Sequence, residues 1–199
     1  MKTLENFIVH VPKRMNDEMT LKSGLKLFID TRFNEFEHRI NEGTVVATPM
    51  RYETGVSVGD TLYFHHLVVI NDGQTLETDE KDNYLVKFSP TVATNNQAIC
   101  YKSCKTGIIH LLNRWSVLAP LVEPTKKASE IIEVVELEER PVTMGVIAFD
   151  SEELKAIGVK KGDVVGFKKN HDYRFKIDGL EYYRTRVEDL MCVYEEEEV

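Results

Sequence analysis

The chain has 199 residues, 42% of them hydrophobic, so it can bury a real core in one large domain or in two smaller ones. Its formal net charge of −8 argues against broad capture of nucleic acid, which needs a basic face. No apolar run approaches the roughly 20 residues that cross a bilayer, and the first residues lack the apolar core of a secretory signal. We therefore expect a cytoplasmic protein with no nucleic-acid partner and no membrane partner.

Short runs of β-branched and aromatic residues recur along the chain, and Gly, Asn, Asp or Pro stands near most of their ends. Many short strands separated by turns indicate a barrel or a sandwich. Helical patterns are scarce: residues 151–157 predict about two turns with Ser151 as N-cap, and residues 106–118 fit either a strand pair or a short helix. The predicted strands are residues 7–11, 44–47, 61–64, 67–70, 97–101, 131–135, 145–149 and 163–167.

A Val-x-x-Gly-Asp turn occurs twice, once at Gly59 and Asp60 and again at Gly162 and Asp163. A Gly-led apolar strand stands upstream of each turn at nearly the same distance, and another apolar strand follows each turn. Glycine allows a positive φ in such a turn, and aspartate can accept hydrogen bonds from nearby backbone amides. The two turns are 103 residues apart, which is the size of a small barrel domain and predicts a tandem duplication.

The chain divides most naturally at a proline-containing polar run, residues 123–128, which reads as a linker. The first module would then span residues 1–122 and the second residues 129–199. The first module carries a long insertion at residues 71–96, and the second ends in an acidic tail.

Residues 158–167 resemble the middle of a GroES-type co-chaperonin, where a Val-Lys-x-Gly-Asp turn leads into a strand with an aromatic end. Residues 175–183 resemble the family's next hairpin, and residues 186–194 resemble its closing segment. Residues 6–14 of the first module resemble the opening strand. The resemblance implies an all-β fold with little helix, built from two tandem, divergent, GroES-like partly open β-barrels.

In this family a long mobile loop follows the opening strand and docks an apolar triplet into a groove of the large chaperonin ring. Residues 15–41 occupy that place here. The resemblance implies that a glycine and the apolar residues after it contact the chaperonin. These candidate residues are Gly24, Leu25, Leu27, Phe28 and Ile29.

The alternative for this segment is that residues 25–29 form an ordinary barrel strand, with Phe33 and Phe36 packing beneath it. The second module has only residues 137–143 where a loop is expected, so we expect one functional loop per chain. The tandem form is similar to plastid double-domain co-chaperonins, although both modules of those proteins carry loops.

Nothing in the sequence indicates catalysis, because it contains no phosphate-binding glycine loop, nucleophile elbow or His-Glu-x-x-His element. Cys100 and Cys104 have only His110 nearby, too few ligands for zinc, so we expect no metal and no cofactor. Co-chaperonins form rings through edge-strand pairing, so the resemblance implies a homo-oligomer that caps a large chaperonin and assists protein folding. The competing hypothesis is a bacteriophage or other viral virion component, capsid-decorating or connecting, that reuses the duplicated barrel.

Overall fold

The computed structural model divides the chain into two compact units, residues 1–113 and residues 114–199. Both units are built almost entirely from antiparallel strands, with a few short helices, so the predicted all-β fold is confirmed. The structure describes residues 2–32, 35–70, 82–91, 96–112, 114–121 and 143–194.

The first unit contains a six-stranded sheet and a separate two-stranded sheet. Its elements are β1 (Phe7–His10), β2 (Glu18–Thr20), β3 (Lys26–Phe28), α1 (Glu35–His38), β4 (Glu42–Ala47), β5 (Thr61–Phe64), α2 (Leu67–Ile70), β6 (Asn83–Val86), β7 (Ala98–Lys102) and β8 (Ile109–Leu111). The larger sheet has the order β6-β1-β4-β5-β7-β8, and the smaller one consists of β2 and β3.

A hydrophobic core of the first unit packs against one face of its larger sheet, although Ile8 and Tyr63, on the other face, are buried as well. It includes Phe7 and Val9 of β1, Val45 of β4, and Leu62 and Phe64 of β5, all of them buried. Since side chains alternate between the faces of a strand, residues two apart contribute to the same core. Each large apolar side chain that is fully buried stabilises the fold by about 2 kcal/mol.

The second unit contains another six-stranded antiparallel sheet, in the order β12-β13-β9-β10-β11-β14. Its elements are β9 (Trp115–Ala119), β10 (Met144–Ile147), α3 (Glu152–Ala156), β11 (Val164–Phe167), β12 (Tyr173–Ile177), β13 (Leu180–Arg186), a 3-10 turn (Val187–Asp189) and β14 (Leu190–Tyr194). Leu118, Ile147, Val165 and Phe167 form its core together with Leu154 of α3. Ser151 caps α3 as predicted, because its hydroxyl accepts the Leu154 amide at 3.1 Å.

Five strands follow the same path in both units. The order β6-β1-β4-β5-β7 in the first sheet corresponds to β13-β9-β10-β11-β14 in the second, and the corresponding strands occur in the same order along the chain. Each sheet then adds one further strand, β8 beyond β7 in the first and β12 beyond β13 in the second.

The two Gly-Asp turns have the same hydrogen bonds. Gly59 and Gly162 have φ angles of +94° and +97°, which favour glycine. Their amides donate to the carbonyls of Val45 and Ile147, both at 2.9 Å. In each unit this hydrogen bond therefore links the turn to the strand that precedes it, β4 in the first unit and β10 in the second.

The aspartates of these turns hold the backbone with their side chains. The Asp60 carboxylate accepts the amides of Ser57 (2.8 Å) and Cys104 (2.9 Å). Among the described residues, the Asp163 carboxylate accepts one amide, that of Lys160, at 3.0 Å. Burial by itself raises the pKa of Asp60, but the two amide hydrogen bonds outweigh it and the pKa lies below its usual value of 3.8.

We expect Asp60→Ala to destabilise the first unit by about 3 kcal/mol, since it leaves two amides without an acceptor beside a buried site. Asp163→Ala should destabilise the second unit by only about 1 kcal/mol, because it removes one hydrogen bond at a more exposed turn. Urea unfolding of the two variants measures the difference, and equal losses would contradict it.

The same carboxylate gives a pH dependence with a definite sign. The pKa of Asp60 is lower in the folded state than its ordinary value of 3.8. The ionised carboxylate therefore stabilises the first unit above about pH 3.8, and this stabilisation is lost as the pH falls through the folded pKa. Asp60→Asn keeps one acceptor oxygen but removes the titration, so its stability should vary less with pH in this acid range.

Two buried hydroxyls face each other in the second sheet. Ser116 of β9 lies opposite Thr185 of β13, both side chains are fully buried, and within the described residues neither hydroxyl oxygen has a hydrogen-bond partner. A buried hydroxyl without a partner costs stability.

Thr185→Val removes one of these hydroxyls while keeping the shape of the side chain. We expect it to stabilise the second unit by about 1 kcal/mol, seen as a higher urea midpoint with an unchanged slope. Thr143→Val, at an exposed position, is the matched control and should leave the midpoint unchanged. A lower midpoint for Thr185→Val would mean that its hydroxyl is hydrogen-bonded in solution.

The predicted boundary between the modules is wrong. Residues 115–119, assigned to the first module, form β9, which pairs with β10 and β13 in the second sheet. The prolines and the polar run that suggested a linker therefore follow the first strand of the second unit instead of preceding it. The predicted linker itself, residues 123–128, lies outside the described residues.

The predicted strand at residues 67–70 is also wrong, because these residues form α2. Val68 and Val69 are buried in the core of the first unit, and a short apolar run is compatible with a buried helix as well as with a strand. The predicted strand at residues 131–135, most of the insertion at residues 71–96 and the acidic tail lie outside the described residues.

Candidate partner-binding hairpin

Strands β2 and β3 form a hairpin that is separate from the six-stranded sheet. The Leu21 amide donates to the Leu25 carbonyl and the Gly24 amide donates to the Leu21 carbonyl, both at 2.9 Å. Gly24 has a φ of +81°. These features define a three-residue loop closed by a glycine in the left-handed region, a common connection between antiparallel strands.

One face of the hairpin is apolar and exposed. Met19 lies directly opposite Leu27, and the next positions on the same face are Leu21 and Leu25. Their exposed fractions are 51% for Met19, 42% for Leu27, 39% for Leu21 and 58% for Leu25. Four neighbouring large apolar side chains in contact with water mark a surface that a partner can cover. We call these four residues the apolar face.

The opposite face of the hairpin is mixed in character. Glu18 accepts hydrogen bonds from Lys13 and Lys26, each at 3.3 Å, and these bonds lower the pKa of the Glu18 carboxyl. Thr20 is exposed there, and Phe28, opposite Glu18, is exposed over 80% of its surface. The two faces of the ribbon therefore differ in chemistry, and only one of them is continuously apolar.

The residues just before the hairpin contact the end of α1 and the residue that follows it. Met15 and Arg39 form an isolated antiparallel bridge. The Asn16 amide donates to the His38 carbonyl at 2.9 Å, and His38 Nδ1 donates to the Asn16 carbonyl at the same distance. A two-stranded hairpin has little stability alone, so these contacts help to hold it in position at its base.

The structure brings together two of the predicted contact residues, Leu25 and Leu27, and adds two that sequence reasoning missed, Met19 and Leu21. The missed signal is the alternation of apolar and polar residues on both sides of the glycine loop. Once Gly24 is taken as the turn, the apolar residues before it pair with those after it.

The other predicted residues have different positions. Gly24 forms the turn, Phe28 lies on the face opposite the apolar face, and Ile29 is partly buried beyond the end of β3, its amide donating to the Asp17 carbonyl at 2.8 Å. The alternative of a barrel strand does not hold, because β3 pairs with β2 in a separate sheet. Phe33, expected to pack beneath that strand, lies outside the described residues.

The second unit is similar to one known protein family. Residues 116–194 match the family model of the chaperonin 10 Kd subunit. The match starts within β9 and ends with β14, so it covers nearly all of the second unit and less than half of the chain. It supports the GroES-type resemblance and, at the family level, a co-chaperonin-like function. No curated protein matches the chain.

The match to the chaperonin 10 family bears on the second unit's loop. The matched range begins at residue 116, within β9, and therefore includes the residues between β9 and β10. The prediction that the second module has only residues 137–143 in the place of the loop stays a prediction. Residues 122–142 lie outside the described ranges.

Among the residues that the structure describes, no three His, Cys, Asp or Glu side chains are grouped so that they could hold a metal ion. None of the helices within the described ranges combines the length and apolar character that a membrane span requires.

Proposed function

We propose that this protein is a co-chaperonin-like, ring-forming cytoplasmic protein that caps a large chaperonin and assists protein folding without catalysing a reaction or binding a cofactor. The observation that carries the proposal is the apolar face of the β2–β3 hairpin on a chain whose second unit matches the chaperonin 10 family. The hairpin follows the first strand of its unit, which is where the family carries its chaperonin-binding loop.

We infer further that the first unit is a diverged copy of the second. The shared order and chain sequence of five strands support this, as do the matching hydrogen bonds at Gly59 and Gly162. The register shift in the strand pairs that follow each turn also falls at equivalent places, between Tyr63 and Phe64 and between Gly166 and Phe167. Three independent features of this kind are difficult to obtain without duplication.

The chemistry of the hairpin suits a reversible cap. Burying the apolar face in a groove would remove four large side chains from water, each contributing up to about 2 kcal/mol when it is fully buried. Ordering and association costs oppose this gain, so a single hairpin should bind with moderate affinity. A ring that presents several hairpins together would bind much more tightly through multivalency.

Native mass spectrometry of the purified protein with a large chaperonin ring, with and without nucleotide, tests this function. We expect a complex between the two rings that forms only with nucleotide. Binding of the chaperonin should also protect the hairpin amides of this protein from hydrogen exchange. A protein that ignores the chaperonin under both conditions would overturn the proposal.

The second candidate is a virion structural protein, encoded by a bacteriophage or another virus and acting in the host cytoplasm or in the virion. It is favoured by one observation, that the family match stops short of the first unit, residues 1–113. In that case the apolar face would be buried against another virion protein. The same mixture experiment separates the two, since a virion component should form no nucleotide-dependent complex with a chaperonin.

A further inference from the structure

Three strands of the second unit bring two arginines against one aromatic side chain. Arg184 and Arg186 lie two residues apart on β13, so their side chains share one face of the sheet. Arg184 Cζ lies 4.0 Å from the centre of the Trp115 ring of β9 and 5.0 Å from the centre of the Tyr173 ring of β12. Arg186 Cζ lies 5.7 Å from the centre of the same Trp115 ring. We call these four residues the arginine cluster.

The arginine cluster holds two positive charges without a carboxylate. Arg184 Nε is buried and has no hydrogen-bond partner, and among the residues that the structure describes neither Arg184 nor Arg186 forms an ion pair. The next carboxylate along the chain, that of Glu188, lies 3.9 Å from Arg114 Nε instead. The N–H groups of a guanidinium are donors only, so they need an acceptor that the carbon atoms of the two rings do not supply.

The unpaired charge of Arg184 has a cost. Burial, aided by the charge of Arg186 and opposed by Tyr173, lowers the pKa of Arg184 to about 10. Arg184 therefore still carries its charge at neutral pH. A charge that is held out of water without a partner destabilises the fold. A charged group that burial perturbs in this way is a candidate for a binding site.

The first unit shows that the shared strand order does not require an arginine here. Val117 of β9 lies opposite Arg184, and the equivalent pair of β1 and β6 is Ile8 with Leu85. The pairs are equivalent because Ile8 and Val117 each directly precede the residue that pairs with the strand position bonded to the Gly-Asp turn. Strand β12, which carries Tyr173, has no counterpart among the described strands of the first sheet. The arginine cluster therefore belongs to the second unit alone.

We propose that the arginine cluster binds a phosphate group through the N–H groups of Arg184 and Arg186. A guanidinium presents its N–H groups as a rigid fork that matches two oxygens of a phosphate, and contact with aromatic rings helps to hold that fork in place. Two unpaired guanidinium groups match the charge of a phosphate dianion, whereas one carboxylate would compensate only one of them. This site goes beyond the proposed function and does not depend on chaperonin binding.

The chain has a single tryptophan, Trp115, so its fluorescence reports directly on the arginine cluster. Titration with inorganic phosphate at constant ionic strength should give a saturable change in this fluorescence. Acetate should bind at least about tenfold more weakly, because one negative charge leaves an arginine unpaired. A parallel titration with glycerol phosphate distinguishes a phosphate ester from the free ion, the natural ligand being of the kind that binds more tightly. No saturable change with either phosphate, or equal binding of acetate, would overturn the proposal.

Substitutions separate binding from a merely structural role. Arg184→Met and Arg186→Gln should each weaken phosphate binding at least about tenfold. Arg174→Gln is the matched control, because Arg174 follows Tyr173 on the other face of β12 and already has a carboxylate partner, with its Nε 2.8 Å from Glu181 Oε1. This control should bind phosphate as the unaltered protein does.

Urea unfolding gives a second readout. Arg184→Met removes an unpaired buried charge, so in phosphate-free buffer its urea midpoint should be higher than that of the unaltered protein. Phosphate should raise the midpoint of the unaltered protein and of Arg174→Gln, but not that of Arg184→Met. Far-ultraviolet circular dichroism checks that each variant folds, and if Arg184→Met does not, Arg186→Gln decides the matter by itself. Unchanged phosphate affinity in Arg186→Gln, or an equal loss in Arg174→Gln, would overturn the proposal.

Discussion

Leu27→Asp and Met19→Asp are each expected to reduce binding to a chaperonin ring at least about 100-fold. The two residues lie opposite each other on the apolar face, so either substitution places a charge within the buried contact. In the proposed ring every chain would carry the substitution, so the loss of binding would be multiplied across the ring. Thr20→Asp is the matched control, because it adds the same charge to the adjacent residue on the opposite face of the same strand.

Fluorescence anisotropy or native mass spectrometry with excess chaperonin and nucleotide measures the effect. We expect Thr20→Asp to bind within about threefold of the unaltered protein, a change of less than 1 kcal/mol. Phe28→Asp should fall in between, since Phe28 is highly exposed but lies off the apolar face. If Thr20→Asp were as damaging as Leu27→Asp, the hairpin would not bind through one face. If Met19→Asp had no effect, the contact would be confined to β3.

The sequence alone predicts two of the four residues of the apolar face. Leu25 and Leu27 follow a glycine in the place where a related family carries an apolar triplet, so they can be predicted by resemblance. Met19 and Leu21 can be found only by deciding that β2 and β3 pair and in which register. A shift of one residue would move every side chain to the other face, and single-sequence patterns rarely fix a register to that precision.

The domain boundary was harder to predict because local and long-range signals disagree there. The prolines and polar residues after Ala119 have the composition of a linker, yet β9 is held in the second unit by its pairing with β10 and β13. Strand pairing between residues far apart in the chain leaves no local pattern. The repeated Gly-Asp turns are easier to predict from the sequence. Glycine is favoured at the positive φ of Gly59 and Gly162, and the aspartate that follows each glycine accepts a backbone hydrogen bond with its carboxylate.

Gly43→Ala and Gly145→Ala are expected to destabilise their own units by about 2–3 kcal/mol each. A Cβ atom on Gly145 would lie 2.9 Å from Leu118 Cβ and 3.1 Å from the Ala119 carbonyl oxygen. On Gly43 it would lie 2.8 Å from Val11 Cγ2 and 3.1 Å from the His10 carbonyl oxygen. These contacts involve backbone atoms and the short branches of a neighbouring strand, so relieving them requires that two paired strands move apart.

Amide hydrogen exchange locates the damage within the chain. Gly145→Ala should lower the opening free energy of β9, β10 and β11 and leave β4 and β5 unchanged, and Gly43→Ala should do the reverse, because each unit has its own core. Thr44→Ala and Val146→Ala, at the next position of each strand and on its other face, should cost less than about 1 kcal/mol. Equal losses in both units from a single glycine substitution would show that the two units unfold together. Losses no larger than those of the controls would show that the strands separate readily, and that glycine is not required for their close approach.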